Sequence, residues 1–241
     1  MNIHNITIND KELVSWSEVF MDSHNRAIVN QLLKEHRYSD ELKTYNLPVN
    51  NKILLHGSSG CGKTTTAKAI ANELGKKLYI LNLSTIVSSR IGETSQNLKL
   101  IFDKTKAENA VLFLDEFDQI GKMRGNDDKD VGEMRRLVNT LIQLIDYFPE
   151  SSLLIAATNQ LEIIDKALTR RFQCIIEYRM PDKKELDVYY ESLLSNFPDR
   201  LKIIERQYGI SYAQARDYAH TFLKSRIIEE LETINPIAKA V

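Results

Sequence analysis

Short apolar runs alternate with longer segments of mixed polarity in the middle of the chain, from residue 52 to about residue 180. Apolar runs of this length are typical of strands that are buried on both faces of a parallel sheet. The runs lie at 53–55, 78–81, 111–114, 153–156 and 175–178. We therefore expect a parallel sheet of five strands.

Segments with helical character surround and separate these runs. The expected helices are 23–36 before the first run, 63–74, 95–107 and 131–146 between runs, and 184–194, 199–208 and 212–232 after the last one. Strands that alternate with helices at this spacing predict a layered α/β domain with right-handed crossovers. The strand signals stop after Pro181, which predicts a small all-helical subdomain.

This pattern divides the chain into three parts. Residues 1–50 form an N-terminal linker and helix, residues 51–180 an α/β core, and residues 181–241 a helical lid subdomain. No flexible linker separates these parts, so we expect one α/β module with a small satellite and no further recognition domain.

Composition excludes several classes of protein. The net charge is -1, with 32 basic and 33 acidic residues, which argues against binding nucleic acid through excess positive charge. No apolar run exceeds five residues, whereas a membrane helix needs roughly 20, so we expect no membrane association. Two cysteines cannot build a disulfide framework, and with no readable export signal we expect a cytoplasmic protein.

A glycine-rich loop follows the first apolar run. Residues 57–64 read GSSGCGKT, which is G-x-x-x-x-G-K-T between a strand and a helix. Such a loop turns its backbone N–H groups around a polyphosphate, with the lysine on the β and γ phosphates and the threonine hydroxyl on Mg²⁺. With the strand–helix alternation, the loop predicts a three-layer P-loop NTPase core that binds ATP and Mg²⁺. The candidate nucleotide-binding residues are Ser59, Gly60, Cys61, Gly62, Lys63, Thr64 and Thr65.

Polar side chains end two further apolar runs. Asp115 and Glu116 follow the run at 111–114, and Asn159 comes soon after the run at 153–156. The carboxyl ends of parallel strands line the ligand-binding crevice. Asp115 is therefore expected to join Thr64 in holding Mg²⁺, and Glu116 to orient or deprotonate an attacking water, as in a hydrolase. The Asn159 amide could hydrogen-bond the γ-phosphate or that water.

These motifs together resemble the AAA+ ATPases, and more narrowly the classical AAA clade that includes katanin, spastin, the proteasomal ATPases and the bacterial membrane protease ATPases. The motifs are GSSGCGKT, VLFLDEFDQIGKMRG, AATNQ and ALTRRF, in this order. The resemblance implies that Asp115 and Glu116 form the Walker B pair and that Asn159 is sensor 1. It also implies that Arg170 and Arg171 lie where arginine fingers reach the nucleotide of a neighbouring subunit. The expected assembly is a homo-oligomer, typically a hexamer.

The resemblance also points to a substrate-binding loop in the pore of such a ring. Relatives that thread polypeptides have an aromatic–aliphatic–Gly triplet where this chain has Arg90, Ile91 and Gly92. Arginine favours acidic groups or phosphate over a passing backbone, and a plain surface loop is the alternative. Residues 122–136 correspond either to a second pore-facing loop or to a solvated loop. In the lid, Tyr212 either stacks on the base or belongs to the helix core.

Three functions are compatible with these observations. The first is an ATP-hydrolysing ring that remodels or unfolds protein substrates or complexes, with a separately encoded effector. The second is a nucleic-acid-handling ATPase such as a loader or a transposition or replication regulator, which Arg90 favours and the near-zero net charge opposes. The third is a nucleotide-dependent scaffold with little turnover, against which the intact Glu116 and Asn159 argue. The five histidines form no H-E-x-x-H motif, so no built-in zinc protease is expected.

Overall fold

The computed structural model describes residues 12–87, 91–122 and 128–234. Within them, one sheet contains the strands β1 (Lys52–Gly57), β2 (Leu78–Asn82), β3 (Val111–Asp115), β4 (Leu153–Thr158) and β5 (Cys174–Tyr178). The strand order is β2-β3-β4-β1-β5, and each neighbouring pair is parallel. The predicted α/β class with a five-stranded parallel sheet is confirmed.

Helices precede, separate and follow these strands. In the described part of the chain the α-helices are α1 (Ser23–Arg37), α2 (Ser39–Thr44), α3 (Lys63–Glu73), α4 (Leu83–Val87), α5 (Ile91–Ala107), α6 (Gln119–Lys122), α7 (Asp128–Asp146), α8 (Lys166–Thr169), α9 (Lys183–Leu194), α10 (Asp199–Lys202) and α11 (Tyr212–Ile234), and short 3-10 helices span Trp16–Glu18 and Leu161–Ile163. None of these helices combines the length and the apolar character of a membrane span.

The central strands are buried on both faces. Leu112 and Leu114 belong to an apolar cluster with side chains of α5 and α7. Val111 and Phe113, which alternate with these leucines along β3, are fully buried as well, and α3 contacts β3 and β4. Because successive strand residues point to opposite faces, helices cover both sides of the sheet and the core has three layers.

The fifth strand departs from the expected burial. Ile176 and Tyr178 of β5 are buried, whereas Ile175 is 46% exposed and Glu177 is exposed as well. The expectation of burial on both faces is wrong for this strand: its alternate residues are exposed, whereas β2, at the other end of the sheet, is buried on both faces.

Contacts divide the chain into two compact units. The first contains the chain up to Gly57 together with Lys63–Tyr178, and the second contains Ser58–Gly62 together with the chain from Arg179 onward. The second unit has its own apolar core between α9 and α11, formed by Leu186, Tyr190, Ala215 and Ala219.

One predicted helix of the second unit is wrong in its length. Residues 199–208 were expected to be helical, but α10 ends at Lys202. The Arg206 guanidinium lies 2.6 Å from Oδ1 of Asp187, and the Tyr208 hydroxyl donates to the same oxygen over 2.8 Å. Ile204 packs against the apolar core of the unit. These contacts hold the segment in an irregular conformation that local helix propensity does not predict.

Candidate active site

Three neighbouring strands of the first unit bring the predicted catalytic residues to one edge of the sheet. Strands β3, β4 and β1 are adjacent, so their carboxyl ends meet. Asp115 is the last residue of β3, Asn159 follows β4, and Lys63 begins the helix after β1. Ligands of open α/β sheets bind outside this edge, which makes it the candidate site.

The lysine of the glycine-rich loop contacts the residue that follows β4. Lys63 is only 9% exposed, and its Nζ donates to the carbonyl oxygen of Gly57 and to Oδ1 of Asn159, both over 2.8 Å. A buried ammonium group requires such acceptors. The contact places two residues that lie 96 positions apart in the sequence within reach of the same ligand atoms.

The two acids occupy a strained turn at the end of β3. Glu116 has a φ of +53°, the left-handed region that a residue with a Cβ seldom adopts. Its N–H donates to Oδ1 of Asp115 over 2.9 Å. Burial raises the pKa of the Asp115 carboxyl, and the charge of Glu116 adds to this, while the Glu116 N–H and Lys63 oppose it. The charged form of Asp115 is therefore poorly compensated, a condition that a bound divalent cation would relieve.

The glycine-rich loop requires its glycines for steric reasons. Gly60 and Gly62 have φ values of +73° and +102°. A Cβ at Gly60 would lie 2.6 Å from Oγ of Ser211, and the N–H of Ala213 donates to the Gly60 carbonyl over 3.1 Å. This alternation of conformations is the kind that turns backbone N–H groups toward an anion.

The remaining residues of this motif are placed as follows. Ser59 is exposed, whereas Cys61 is buried, with its Sγ 3.7 Å from the carbonyl oxygen of Ser59 and 3.8 Å from Sδ of Met180. Thr64 and Thr65 lie in the first turn of α3 and are half-buried. The donor set, a lysine and a threonine beside two carboxylates, fits a nucleoside triphosphate with Mg²⁺.

The two adjacent arginines differ sharply in their surroundings. Arg171 donates through Nε and a terminal nitrogen to the two carboxylate oxygens of Asp146, over 2.7 and 3.0 Å, and also donates to the carbonyl of Ala167. Arg170 is exposed at the end of α8, and the described residues offer its side chain no hydrogen bond or ion pair. Asp146 lies 25 residues before Arg171, and no sequence signal linked them.

The predicted pore-loop residues lie at or beyond the limits of the description. Arg90 falls outside the described residues, and Ile91 and Gly92 are the first residues of α5. In the other polar segment, residues 123–127 lie outside the description, and α7 begins at Asp128 rather than at residue 131. The interpretation of these segments as pore loops stays a prediction.

Sequence reasoning missed a buried polar pair beside the site. Asp118 and Thr158 are 4% and 2% exposed, and the Thr158 hydroxyl donates to Oδ1 of Asp118 over 3.0 Å. The available signal was a second acid, three residues after Asp115, between the apolar residues Phe117 and Ile120. An acid in that setting needs a partner once it is buried.

Tyr212 belongs to the core of the second unit. Its ring packs against the apolar cluster of α9 and α11 and meets Tyr189 edge-on at 4.9 Å. Burial raises the pKa of its hydroxyl. Of the two interpretations of this residue, the structure favours helix core.

Comparison with known proteins agrees with this geometry. Residues 53–180 match the model of the AAA family, described as "ATPase family associated with various cellular activities". The chain is 32% identical over 221 residues to an uncharacterized AAA family ATPase of Sinorhizobium fredii, an alignment that covers 90% of this chain and 67% of that protein. The chain therefore belongs to the AAA family of ATPases.

Other relatives are much longer than the matched region. A protein of Methanothermobacter thermautotrophicus, named as a 26S proteasome regulatory subunit homolog, is 29% identical over 76% of this chain and 51% of its own length. The ATP-dependent zinc metalloprotease FtsH of Lachnoclostridium phytofermentans is 38% identical over 57% of this chain and 26% of its own length. The chain thus corresponds to about half of the first protein and a quarter of the second.

Proposed function

We propose that this chain hydrolyses ATP with Mg²⁺ inside a ring of its own copies, and that the cycle remodels protein substrates or complexes. The observation that carries the proposal is the meeting of Lys63, Asn159 and the pair Asp115–Glu116 at the carboxyl edge of β3, β4 and β1. A lysine, an amide and two carboxylates at one strand edge form the set that phosphate hydrolysis requires.

Each group has a distinct task in this proposal. Lys63 binds the β and γ phosphates, and Thr64 with Asp115 holds Mg²⁺, which supplies positive charge to the phosphate oxygens when bound. Glu116 orients the attacking water and takes its proton. Asn159, whose Oδ1 is within 2.8 Å of the Lys63 ammonium, hydrogen-bonds the γ-phosphate or that water.

The ring proposal is supported by the different surroundings of the two arginines. Arg170 is exposed, and it is available for the nucleotide of a neighbouring subunit. Arg171 is held by Asp146, which fixes the turn that carries Arg170. We therefore assign the contact in trans to Arg170 and an anchoring task to Arg171. A hexamer is the expected ring size from the family.

Protein substrates are proposed on the names of the relatives. One of them is named for a proteasome regulatory subunit and another for a metalloprotease, and proteins of both kinds act on other proteins. The net charge of -1 also offers no general attraction for nucleic acid. A separately encoded effector would then select the substrates, and the remodelling would take place in the cytoplasm.

The test is hydrolysis of Mg·ATP by the purified chain, with and without an unfolded protein such as casein. Turnover should require Mg²⁺, and Glu116→Gln should abolish it while nucleotide binding persists. Glu150→Gln is the matched control. Glu150 is an exposed acid that precedes β4, so it lies near the amino ends of the strands, away from the candidate site at their carboxyl ends. Stimulation by duplex DNA instead of protein, lost as salt rises, would overturn the protein-substrate proposal. Absence of hydrolysis would overturn the ATPase proposal itself.

A further inference from the structure

The turn that carries Glu116 has to be held in place by its surroundings. The left-handed φ of +53° is strained for a residue with a Cβ, and such strain persists only where neighbouring contacts determine the backbone. Two backbone bonds contribute: the N–H of Phe117 donates to the carbonyl of Ala157 over 2.8 Å, and the N–H of Gln119 donates to the carbonyl of Glu116 over 2.9 Å. The first of these ties the turn to strand β4.

A buried side-chain bond ties the same two segments together a second time. The hydroxyl of Thr158 donates to Asp118 over 3.0 Å and accepts the N–H of Gln160 over 2.9 Å. These two bonds form a relay from the backbone after Asn159, through the Thr158 hydroxyl, to Asp118, which lies within the Glu116 turn. Asp118 and Thr158 are both almost completely buried, so water does not compete for this bond.

The position of the relay matters because it spans two candidate catalytic groups. Asn159 lies between Thr158 and Gln160, the two residues that the hydroxyl bond closes into a turn. Glu116 lies two residues before Asp118 and has the strained backbone. A shift of about 1 Å in a reacting group can cost about 100-fold in rate, so the relay is placed to affect turnover without touching the nucleotide.

We infer that Asp118 and Thr158 form a positioning pair that sets the Glu116 turn and Asn159 at a fixed distance from each other across β3 and β4. The inference rests on the proposed function, since it assumes that Glu116 and Asn159 act on the nucleotide. The pair sets the rate of hydrolysis and leaves nucleotide binding largely to Lys63 and the glycine-rich loop.

The decisive variant is Thr158→Val, which keeps the shape of the side chain and removes the hydroxyl. We expect kcat for Mg·ATP to fall by roughly 10- to 100-fold, the range seen when groups that orient a ligand are removed, with KM changed by less than about threefold. Thr158→Ser restores the hydroxyl and should regain at least half of the wild-type kcat. Asp118→Ala removes the same bond together with the other interactions of that carboxylate, so it should lower kcat at least as much as Thr158→Val. The double variant should lose little more than Asp118→Ala alone, because the two changes share one bond.

Thr105→Val is the matched control for stability. Thr105 is also fully buried, and its hydroxyl donates to the carbonyl of Ile101 within α5 over 2.8 Å. Its loss should lower the melting temperature by less than the loss of the Thr158 hydroxyl, which serves both a buried carboxylate and the Gln160 N–H, and kcat should stay unchanged. A fall of kcat in Thr105→Val equal to that in Thr158→Val, or a failure of Thr158→Ser to restore turnover, would overturn the inference.

A second readout separates this inference from the proposed function. In Thr158→Val the amide of Gln160 loses its acceptor. The bond from the Phe117 amide to the Ala157 carbonyl remains, but the neighbouring bond between Thr158 and Asp118 no longer holds the same two segments together. Hydrogen exchange at both amides should therefore quicken, while the amides of α5 keep their rates. Inactive wild-type protein would refute the ATPase proposal, and exchange would still decide whether the pair fixes the two turns. Active wild-type protein with unchanged kcat and exchange in Thr158→Val would refute the pair alone.

Discussion

A mixture of two inactive variants tests whether Arg170 acts across a subunit boundary. A subunit with Arg170→Ala keeps Glu116 but supplies no arginine to the nucleotide of the neighbouring subunit. A subunit with Glu116→Gln keeps Arg170 but cannot activate the attacking water. If the arginine acts in trans, a subunit of the first variant beside a subunit of the second has a complete active site. In a randomly mixed ring with head-to-tail interfaces, roughly a quarter of the interfaces have this order.

The structure sets the expected magnitudes for each arginine. Arg170 is exposed, so its removal should change the free energy of unfolding by less than about 0.5 kcal/mol, while an arginine finger contributes on the order of 10³ or more to the rate. Arg171 loses a two-point ion pair in which the side chain of Asp146 is 44% exposed, and a bond to Ala167. That should cost about 1–2 kcal/mol, or a melting temperature lower by roughly 2–8 °C.

The assay is the steady-state release of phosphate at a protein concentration above the midpoint for assembly. Each variant alone should be nearly inactive, and an equimolar mixture should regain roughly a quarter of the wild-type rate. A mixture that stays as inactive as its components, although the two variants assemble together, would refute the contact in trans. A fall of activity in Arg171→Ala without any loss of stability would refute the division of tasks between the two arginines.

Two further predictions concern the glycine-rich loop and the metal site. Gly60→Ala should abolish ATP binding, measured by calorimetry, because the new methyl group would lie 2.6 Å from Oγ of Ser211 and 3.0 Å from Cβ of Ala213. Gly75→Ala, at a similar φ of +61° with no atom within 4 Å, should bind normally and lose only about 1–2 kcal/mol of stability. Asp115→Asn should end Mg²⁺-dependent hydrolysis and raise the melting temperature at neutral pH. The folded-state pKa of Asp115 is raised by burial, so its charged form opposes folding, and the gain over wild type should shrink as the pH falls through that pKa and the wild-type carboxyl protonates. An equal loss of ATP binding in both glycine variants, or a lower melting temperature in Asp115→Asn, would contradict these predictions.

The residues of the candidate site could be proposed from the sequence because they lie in short contiguous motifs. The spacing of the glycines and Lys63 encodes a local turn, and Asp115–Glu116 directly ends a buried run. The apolar runs also predict the strands, because a parallel sheet buries its central members on both faces. Each of these inferences uses residues that are neighbours in the chain, where periodicity and turn chemistry act directly.

The contacts between distant segments could not be predicted in the same way. The order β2-β3-β4-β1-β5 inserts β1 between β4 and β5, and the pairing of β1 with β4 brings Asn159 to Lys63. The bond of Arg171 to Asp146 and the ties of Arg206 and Tyr208 to Asp187 likewise depend on packing. A single sequence carries no pairing signal for such contacts, so local propensity wrongly extended the helix of α10 to residue 208.

The groups of the candidate site lower the stability of the fold that contains them. Glu116 keeps a left-handed backbone, at a cost of about 1–3 kcal/mol for a residue with a Cβ. The fold disfavours the charged form of Asp115. Neither of these groups fills the apolar core, so stability alone gives no reason for them. Substitutions that relieve the strain or the charge should therefore stabilise the chain while they remove turnover, and a variant that is both more stable and inactive cannot owe its inactivity to misfolding.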